Sequence, residues 1–110
     1  MSAPYIGIRA APETERSVAG AFTGSAQNLG TPLTQNPIMA IFDNQSTVSV
    51  AVGFSGVSNW KTFSAGEALI LDMRANHGQA QTFTFDLGTQ FTVTATGGTG
   101  SFRLSILYAR

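Results

Sequence analysis

The sequence predicts an all-β fold, an antiparallel β-sandwich or jelly-roll-like domain of seven to eight short strands with an N-terminal arm. In residues 91–108, apolar and polar side chains alternate on both sides of a glycine-rich turn at residues 97–100. Because successive side chains of a strand point to opposite faces, this pattern indicates a β-hairpin. No segment of helical length shows a period of 3.6 residues. Strand order stays open, and jelly-roll and immunoglobulin-like topologies both fit the pattern.

Residues 1–17 are predicted to form the arm, because prolines interrupt this segment and no alternation is sustained in it. Pro12 suits the first position of a short helical turn, since its fixed φ angle matches the helix. Tyr5, Ile6 and Ile8 are apolar, so we expect them to lie against the domain or against a neighbouring subunit. These three residues are therefore candidate interface residues.

Residues 18–110 are predicted to form one sandwich domain. Residues 47–54 alternate between polar and apolar side chains, as expected of a strand with one face toward solvent or a partner. The continuous apolar runs at residues 38–42 and 68–71 are typical of strands buried on both faces. A further alternating strand is expected at residues 83–87. The predicted core comprises Ile38, Ala40, Phe42, Val48, Val50, Val52, Leu69, Leu71, Phe91, Val93, Leu104 and Ile106.

The composition is almost uncharged. Only 11% of the 110 residues are Asp, Glu, Lys or Arg, against about 25% in typical domains, and the charges cancel. The chain therefore lacks the basic field that binds nucleic acid, and no run approaches the roughly 20 apolar residues of a membrane-spanning helix. A neutral surface rich in Thr and Gly lacks charge repulsion between monomers, so it suits a subunit that contacts other subunits. The absence of cysteine excludes disulfides and thiolate metal sites.

The residues that offer acid–base or nucleophilic chemistry do not form a recognisable catalytic motif. His77 is the single histidine, and a hydrolytic triad needs an acid such as Asp72 or Asp86 to orient it and a serine such as Ser55 beside it. No nucleophile-elbow motif surrounds that serine. The two aspartates would also suit a glycosidase pair, but each lies at a predicted strand end, where aspartate commonly caps a turn. The sequence therefore predicts no catalytic residues.

Three other features suggest ligand binding, and each has a structural interpretation that we favour. Residues 43–46 carry oxygen atoms that suit calcium, but they lack the repeated acidic spacing of a calcium loop, so an Asx-type turn is expected. The turn at residues 97–100 leads into a strand instead of a helix, which argues against phosphate binding. Trp60 with Phe63, or Tyr108, suits either a platform for a sugar ring or a core or interface position. We expect no cofactor and no metal, and we add Trp60 and Tyr108 to the candidate interface residues.

Two stretches, residues 29–73 and 87–110, resemble small structural proteins of tailed bacteriophage particles. The resemblance lies in a GTPL segment, an N-x-[ST] turn followed by a V-x-V-x-F-x-G strand, a short strand with a tryptophan, an AGE turn, and a closing GTQ…GTGS…L…YA hairpin. It is a pattern of turns and strands without a catalytic signature. One departure is visible: Ser55 and Gly56 stand where those proteins carry an Asp-Gly turn.

This resemblance implies a non-enzymatic virion structural protein, most specifically a capsid decoration or cement protein that binds the outer shell as a symmetric oligomer, with a trimer expected. The implied partners are the major capsid protein and further copies of this chain, with no nucleic acid and no membrane. The implied location is the virion, after synthesis in the host cytoplasm. A connector, collar or tail component is an alternative of the same class. A carbohydrate-binding adhesion module is an alternative of a different class, and a hydrolase ranks third.

Overall fold

The computed structural model describes residues 10–55, 57–73 and 85–109, and these residues form an all-β domain without helices. The described residues form eleven strands, which confirms the predicted all-β fold class, and seven of these strands have four or more residues. The strands are β1 (Ala10–Pro12), β2 (Arg16–Ala19), β3 (Phe22–Thr23), β4 (Gln27–Asn28), β5 (Pro37–Asn44), β6 (Val50–Phe54), β7 (Val57–Phe63), β8 (Ala68–Asp72), β9 (Phe91–Thr94), β10 (Thr96–Gly97) and β11 (Ser101–Ala109).

Two antiparallel sheets pack face to face as a sandwich. The larger sheet has the strand order β1-β11-β5-β8, with β2 also paired to β11, and the smaller sheet has the order β4-β9-β6-β7. A short ribbon joins β3 to β10. Phe42 on β5 meets two rings of the opposite sheet, with centroid distances of 5.3 Å to Trp60 and 5.6 Å to Phe91. Strands β7 and β8 follow each other in the chain but belong to different sheets, so the chain crosses the sandwich at residues 64–67.

The core between the sheets is built largely from aromatic rings. Phe42, Phe63, Phe91 and Phe102 are fully buried, and Phe63 lies 5.2 Å from Phe102 of the larger sheet. Each buried aromatic side chain removes roughly 150–250 Å² of surface from water, so these rings dominate the hydrophobic stabilisation. The fully buried aliphatic side chains around them are Leu29, Leu33, Met73, Leu104, Ile106, Val50, Val52 and Val93.

The predicted core is largely confirmed, but four of its twelve members are only partly buried. Val48, Leu69 and Leu71 contact the core from its margin, and Ile38 is also partly exposed. Eight others, Ala40, Phe42, Val50, Val52, Phe91, Val93, Leu104 and Ile106, are buried. The predicted core does not include Phe63 and Phe102, which are both fully buried.

The prediction that residues 38–42 and 68–71 are buried on both faces is wrong. Ala40 and Phe42 are buried, but Ile41 between them is partly exposed, and Ile70 is 60% exposed. The physical reason is that the larger sheet packs on the smaller sheet by one face only. A continuous apolar run indicates that both faces of the strand are hydrophobic, but it does not indicate whether another part of the chain covers the second face.

The predicted boundary between arm and domain lies within the larger sheet. Strand β1 pairs with the C-terminal end of β11, and β2 pairs with its N-terminal half, so residues 10–12 and 16–17 of the predicted arm belong to the sheet. Pro12 ends β1 and does not begin a helical turn. Such short strands are fixed by their partner β11 and carry too few residues to show a period. Tyr5, Ile6 and Ile8, which were predicted to pack as an arm, lie outside the described residues.

The strand predicted at residues 83–87 is wrong where it can be compared. Residues 85–87 form no strand, and Gly88 N donates a hydrogen bond to Leu33 O at 2.8 Å. Phe85 is buried and its ring lies 5.0 Å from Phe91, so tertiary contacts explain the apolar residue without a strand. Residues 83 and 84 lie outside the described part of the chain.

Gly100 allows the turn before β11 to approach the end of β5 closely. Its φ is +84°, and a Cβ atom there would overlap Gln45 O. Gly88 has the same φ of +84°, but no atom lies within 4 Å of the Cβ position. Replacing Gly88 by alanine should therefore cost only the backbone strain, on the order of 1–3 kcal/mol.

We expect Gly100→Ala to lower the free energy of unfolding by more than Gly88→Ala, because the overlap with Gln45 O adds to the same backbone strain. Urea denaturation of both variants and the parent measures the difference. Equal losses would show that the close approach to Gln45 contributes nothing.

Candidate functional site

The residues considered for catalysis are used in turns where the structure describes them. Ser55 Oγ accepts a hydrogen bond from Gln90 N at 3.0 Å. The carbonyl oxygen of Asp86 accepts one from Thr89 Oγ1 at 2.7 Å. Asp72 ends β8 and is exposed, and His77 lies outside the described residues. Within residues 10–55, 57–73 and 85–109, no group of three or more His, Asp or Glu residues is arranged to hold a metal ion.

The predicted Asx-type turn at residues 43–46 is confirmed, and Asn44 is its centre. Asn44 is fully buried, and its Oδ1 accepts hydrogen bonds from Ser46 N at 3.1 Å and from Ser46 Oγ at 2.6 Å. Its Nδ2 lies 3.0–3.1 Å from three carbonyl oxygens, those of Val48, Phe63 and Ser64, which share its two hydrogens. One amide side chain thereby ties β5 to the next loop and to the end of β7.

The turn at residues 97–100 packs against the same loop. Thr47 N donates to Thr99 O, and Thr99 N donates to Thr47 Oγ1, both at 3.0 Å. Gln45 N donates to Ser101 O at 2.9 Å. The glycine-rich turn is thus a structural partner of the Asn44 turn, and these amides hold the end of the sandwich together. These hydrogen bonds use backbone and hydroxyl groups of the two turns, which from the sequence alone could also bind a phosphate or a cation.

Arg16 is a buried charged residue that the sequence analysis did not identify. Its Nε donates to Thr31 O at 2.7 Å and its Nη2 to Pro32 O at 3.1 Å. Its Nη1 forms an ion pair with Glu13 Oε1 at 2.5 Å. A Cβ atom on Gly30 would overlap the stem of the Arg16 side chain, so glycine leaves the space for it. The guanidinium group therefore fastens the loop at residues 30–32 to β2, which is a structural role.

Two opposing effects act on the pKa of Glu13. Burial raises it, but hydrogen bonds from Thr34 Oγ1 and N, together with the Arg16 guanidinium, outweigh burial and lower the pKa below its ordinary value. The carboxylate is therefore the favoured form in the folded protein.

Protonation of the Glu13 carboxylate should lower the stability of the folded protein in acid. Because its pKa is lowered on folding, its stabilisation is complete above the ordinary glutamate pKa of about 4.3 and is lost as the pH falls through the lower folded value. We expect Glu13→Gln to be less stable than the parent at pH 7, and the difference to shrink toward pH 3. Urea denaturation across this range measures it. A difference that stays constant with pH would mean that the Glu13 charge does not contribute.

The most unusual surface of the described chain is the outer face of the larger sheet. The register places Ile41 beside Ile70 of β8, Met39 beside Leu107 of β11, and Leu107 beside Pro12 of β1. Their neighbours along each strand are buried or partly buried, so these five side chains point away from the core. We call Pro12, Met39, Ile41, Ile70 and Leu107 the apolar face. Apolar side chains from four strands thus form one continuous surface, which is exposed at Pro12 and Ile70 and partly exposed at Met39, Ile41 and Leu107.

Polar and charged groups border the apolar face. Arg103 lies opposite Asp43 in the register of β11 and β5, but its Nη1 pairs with Glu15 Oε1 at 3.6 Å. Asp43 Oδ2 accepts a hydrogen bond from Gln45 Nε2 at 2.6 Å, and Ser105 Oγ donates to Glu15 Oε2 at 3.3 Å. Exposed ion pairs of this kind contribute little to stability, so these groups can exchange their partners at low cost.

The two candidate interface residues that the structure describes, Trp60 and Tyr108, do not lie on the apolar face. Trp60 is half-buried, and its ring lies 5.3 Å from Phe42 and 6.0 Å from Phe54, so it contributes to the aromatic core. Tyr108 is also partly buried and pairs with Ala11 of β1, on the side of β11 opposite to Leu107. Tyr5, Ile6 and Ile8 lie outside the described residues, and whether the five residues form an interface stays a prediction.

A shallow groove of about 410 Å³ lies beside the hairpin of β6 and β7. Val57 at its side is 43% exposed. Gln90 uses its Nε2 within the protein, donating to Gly30 O at 3.1 Å and to Phe91 O at 2.9 Å. The groove is lined by Phe54, Ser55, Val57, Ser58, Gln90 and Thr92. It therefore combines one aromatic ring with hydroxyl and amide groups.

Comparisons of the chain with protein-family models, with curated proteins and with solved structures found no match. Within the described ranges, no helix is long and apolar enough to cross a membrane. The fold and the surface define a β-sandwich domain whose most exposed apolar surface lies on one sheet face.

Proposed function

We propose that this chain is a non-enzymatic structural subunit of a larger protein assembly, and more specifically a capsid decoration or cement protein of a bacteriophage virion. The observation that carries the proposal is the apolar face, with Ile70 60% exposed at its edge and charged groups at its border. An apolar centre with a polar rim is the usual anatomy of a protein–protein interface. Extended exposed apolar patches mark interaction surfaces on proteins that are otherwise polar outside.

The use of the polar side chains supports the same proposal. Four polar side chains form their hydrogen bonds with loops and strand ends of the same chain: those of Asn44, Ser46, Ser55 and Arg16. The chain is neutral and only 11% charged, so like-charge repulsion does not oppose close contact with other subunits. The virion part of the proposal depends on the resemblance of the turns and strands to small structural proteins of tailed bacteriophages.

Binding would result from many weak contacts. Burying one aliphatic side chain is worth about 1.5–3 kcal/mol before ordering costs, so a single apolar face gives modest affinity. A symmetric oligomer, held together through its apolar faces, contacts a shell with several subunits at once and binds far more tightly, because the later contacts form at high effective concentration. In this proposal the partners are the major capsid protein and further copies of the chain, and the location is the virion.

The number of copies in purified particles of the virus that encodes the chain tests this proposal. Quantitative mass spectrometry against a labelled standard should find copies on the scale of the shell subunits, and antibodies against the chain should label the capsid exterior. A few copies per particle, located at the tail or its junction, would indicate a connector, collar or tail component. Absence from purified particles would overturn the virion proposal.

The groove beside the β6–β7 hairpin favours a second candidate, a carbohydrate-binding adhesion module. Sugar rings bind to an aromatic surface with hydroxyl and amide groups around it, and Phe54, Ser58 and Thr92 offer these groups. A glycan array probed with the purified chain tests this candidate. Binding that is lost in Phe54→Ala, in a variant that still folds, would favour the adhesion module over the assembly subunit.

A further inference from the structure

We propose that the apolar face is covered by the same face of a second copy of this chain, related by a two-fold axis that runs parallel to the strands and passes between β5 and β11. The inference rests on the proposed role as an assembly subunit, since it names the partner of one surface. It concerns the chain alone, however, and can be tested without a virus particle.

The register of the two central strands leads to this arrangement. In β5 and β11 the outward side chains stand in three rows: Asp43 beside Arg103, Ile41 beside Ser105, and Met39 beside Leu107. A two-fold axis along the strands exchanges the positions of β5 and β11 between the copies. Each residue then faces the residue that lies beside it within its own sheet.

The central apolar pair of the face, Met39 and Leu107, is self-complementary under this operation. Met39 faces Leu107 of the second copy, and Leu107 faces Met39 of the second copy, so the four side chains bury one another. Closed two-fold contacts of this kind use the same surface on both copies and are the commonest form of protein oligomer. Sheets stacked face to face keep their strands within about 30° of each other, so the correspondence holds best near the axis, where these pairs lie.

The charged part of the face is self-complementary under the same operation. Asp43 faces Arg103 of the second copy, and the symmetry repeats the pair, giving two opposite-charge contacts. Within one copy the two side chains use other partners: Arg103 Nη1 pairs with Glu15 at 3.6 Å, and Asp43 accepts from Gln45. Both groups are at least partly exposed and are available for a new contact.

The alternative two-fold axis, perpendicular to the strands, fits less well. It would place the row of Asp43 and Arg103 against the row of Met39 and Leu107 of the second copy. Each charge would then lose water without gaining a partner, which is costly. The order of residues along β5 and β11 therefore selects the axis parallel to the strands.

The size of the apolar face predicts that two copies associate with low affinity. Four strands about 4.8 Å apart and some five residues of about 3.3 Å rise cover roughly 300 Å² per copy, below the roughly 800 Å² per partner of a standard stable interface. We therefore expect the two-fold pair to be populated at chain concentrations of about 0.1–1 mM. Sedimentation velocity and NMR translational diffusion cover this range.

Charge reversal at the two central residues tests the pair contact. Asp43→Arg and Arg103→Asp should each weaken self-association about tenfold, because each creates two like-charge contacts worth roughly 0.7 kcal/mol apiece. The double variant, which exchanges the two charges, should restore association to within about threefold of the parent. Asp86→Arg is the control for Asp43→Arg, because it makes the same change of net charge in a turn away from the larger sheet. It should leave association unchanged.

A second pair of variants separates the apolar face from exposed apolar residues in general. Ile70 and Leu87 are 60% and 59% exposed, and only Ile70 belongs to the apolar face. Ile70→Asp should weaken association, and Leu87→Asp should not. Circular dichroism and urea denaturation show that each variant is folded before its association is compared.

The outcomes distinguish this inference from the proposed function. Four outcomes would each overturn the two-fold pair. Two concern the charges: association that neither single charge reversal changes, and failure of the double variant to restore association. The other two concern the parent: a chain that stays monomeric at 1 mM, and assembly into three copies. Detection of the chain in virus particles would leave the assembly role standing in all four cases. Conversely, a pair that behaves as expected in a chain absent from particles would retain the pair and remove the virion role.

Discussion

Replacing Phe42 by alanine should lower the free energy of unfolding by about 3–5 kcal/mol, the usual loss for a buried phenylalanine. Phe42 is fully buried and contacts rings from the edge strand β7 and the inner strand β9 of the smaller sheet: Trp60 at 5.3 Å, Phe63 at 5.9 Å and Phe91 at 5.6 Å. Removing the ring leaves a cavity between the sheets that these rings cannot fill without losing contacts among themselves. Urea denaturation followed by tryptophan fluorescence measures the loss and reports on Trp60 directly.

Ile41→Ala is the matched control for this substitution. Ile41 precedes Phe42 on β5 and points to the opposite, outer face, where it is partly exposed. We expect its replacement to cost less than about 1 kcal/mol, measured at a protein concentration low enough to keep the chain monomeric. Similar losses for the two variants would contradict the assignment of the inner and outer faces of the larger sheet.

Replacing Asn44 by alanine should lower the free energy of unfolding by about 3–5 kcal/mol. Three buried or partly buried carbonyl oxygens, those of Val48, Phe63 and Ser64, would lose the amide donor they share, and Ser46 N would lose its acceptor. A buried polar group left without a partner costs about 1–3 kcal/mol, and the individual losses do not add fully. Thermal and urea denaturation measure the effect.

Two further variants separate the amide from the position. Asn44→Asp keeps the shape and the acceptor for Ser46 N but removes the donor and places a carboxylate beside three carbonyl oxygens, so we expect no recovery of stability. Gln45→Ala changes the next, exposed residue and should stay within about 0.5 kcal/mol of the parent. Full stability of Asn44→Asp would show that the shared donor is unimportant.

The fold class and most of the core followed from local patterns in the sequence. The Asx-type turn of Asn44 was predicted because turn chemistry is a local property. The hairpin predicted across residues 97–100 is wrong, because β9 belongs to the smaller sheet, β10 pairs with β3 and β11 belongs to the larger sheet. Alternation and glycine content locate the strands and the turn, but they do not show which strands pair. The burial of Asn44 and Arg16 was not predicted, since it depends on carbonyl groups brought in from Phe63 and from Pro32. No local signal identifies a polar side chain whose acceptors lie 16 or 19 residues away along the chain.

The apolar face was hidden by the interpretation of the apolar runs. The sequence of β8 shows apolar residues on both faces, and this pattern was interpreted as burial within one chain. In the structure Leu69 and Leu71 contact the core, and Ile70 between them stands on the exposed side. The pattern was therefore correct about hydrophobicity. The number of faces that one chain covers is set by the arrangement of the sheets, which a single strand does not encode.

The crossing at residues 64–67 is a short covalent connection between the two sheets at one side of the sandwich. Four residues join β7 of the smaller sheet to β8 of the larger one, and Asn44 N donates to Glu67 O at 2.9 Å while Glu67 Oε1 accepts from Ser64 N at 2.8 Å. The spacing between the sheets is thus covalently limited on this side. The position of β8, which carries Ile70 on the outer face of the larger sheet, is therefore coupled to the position of β7 in the smaller sheet.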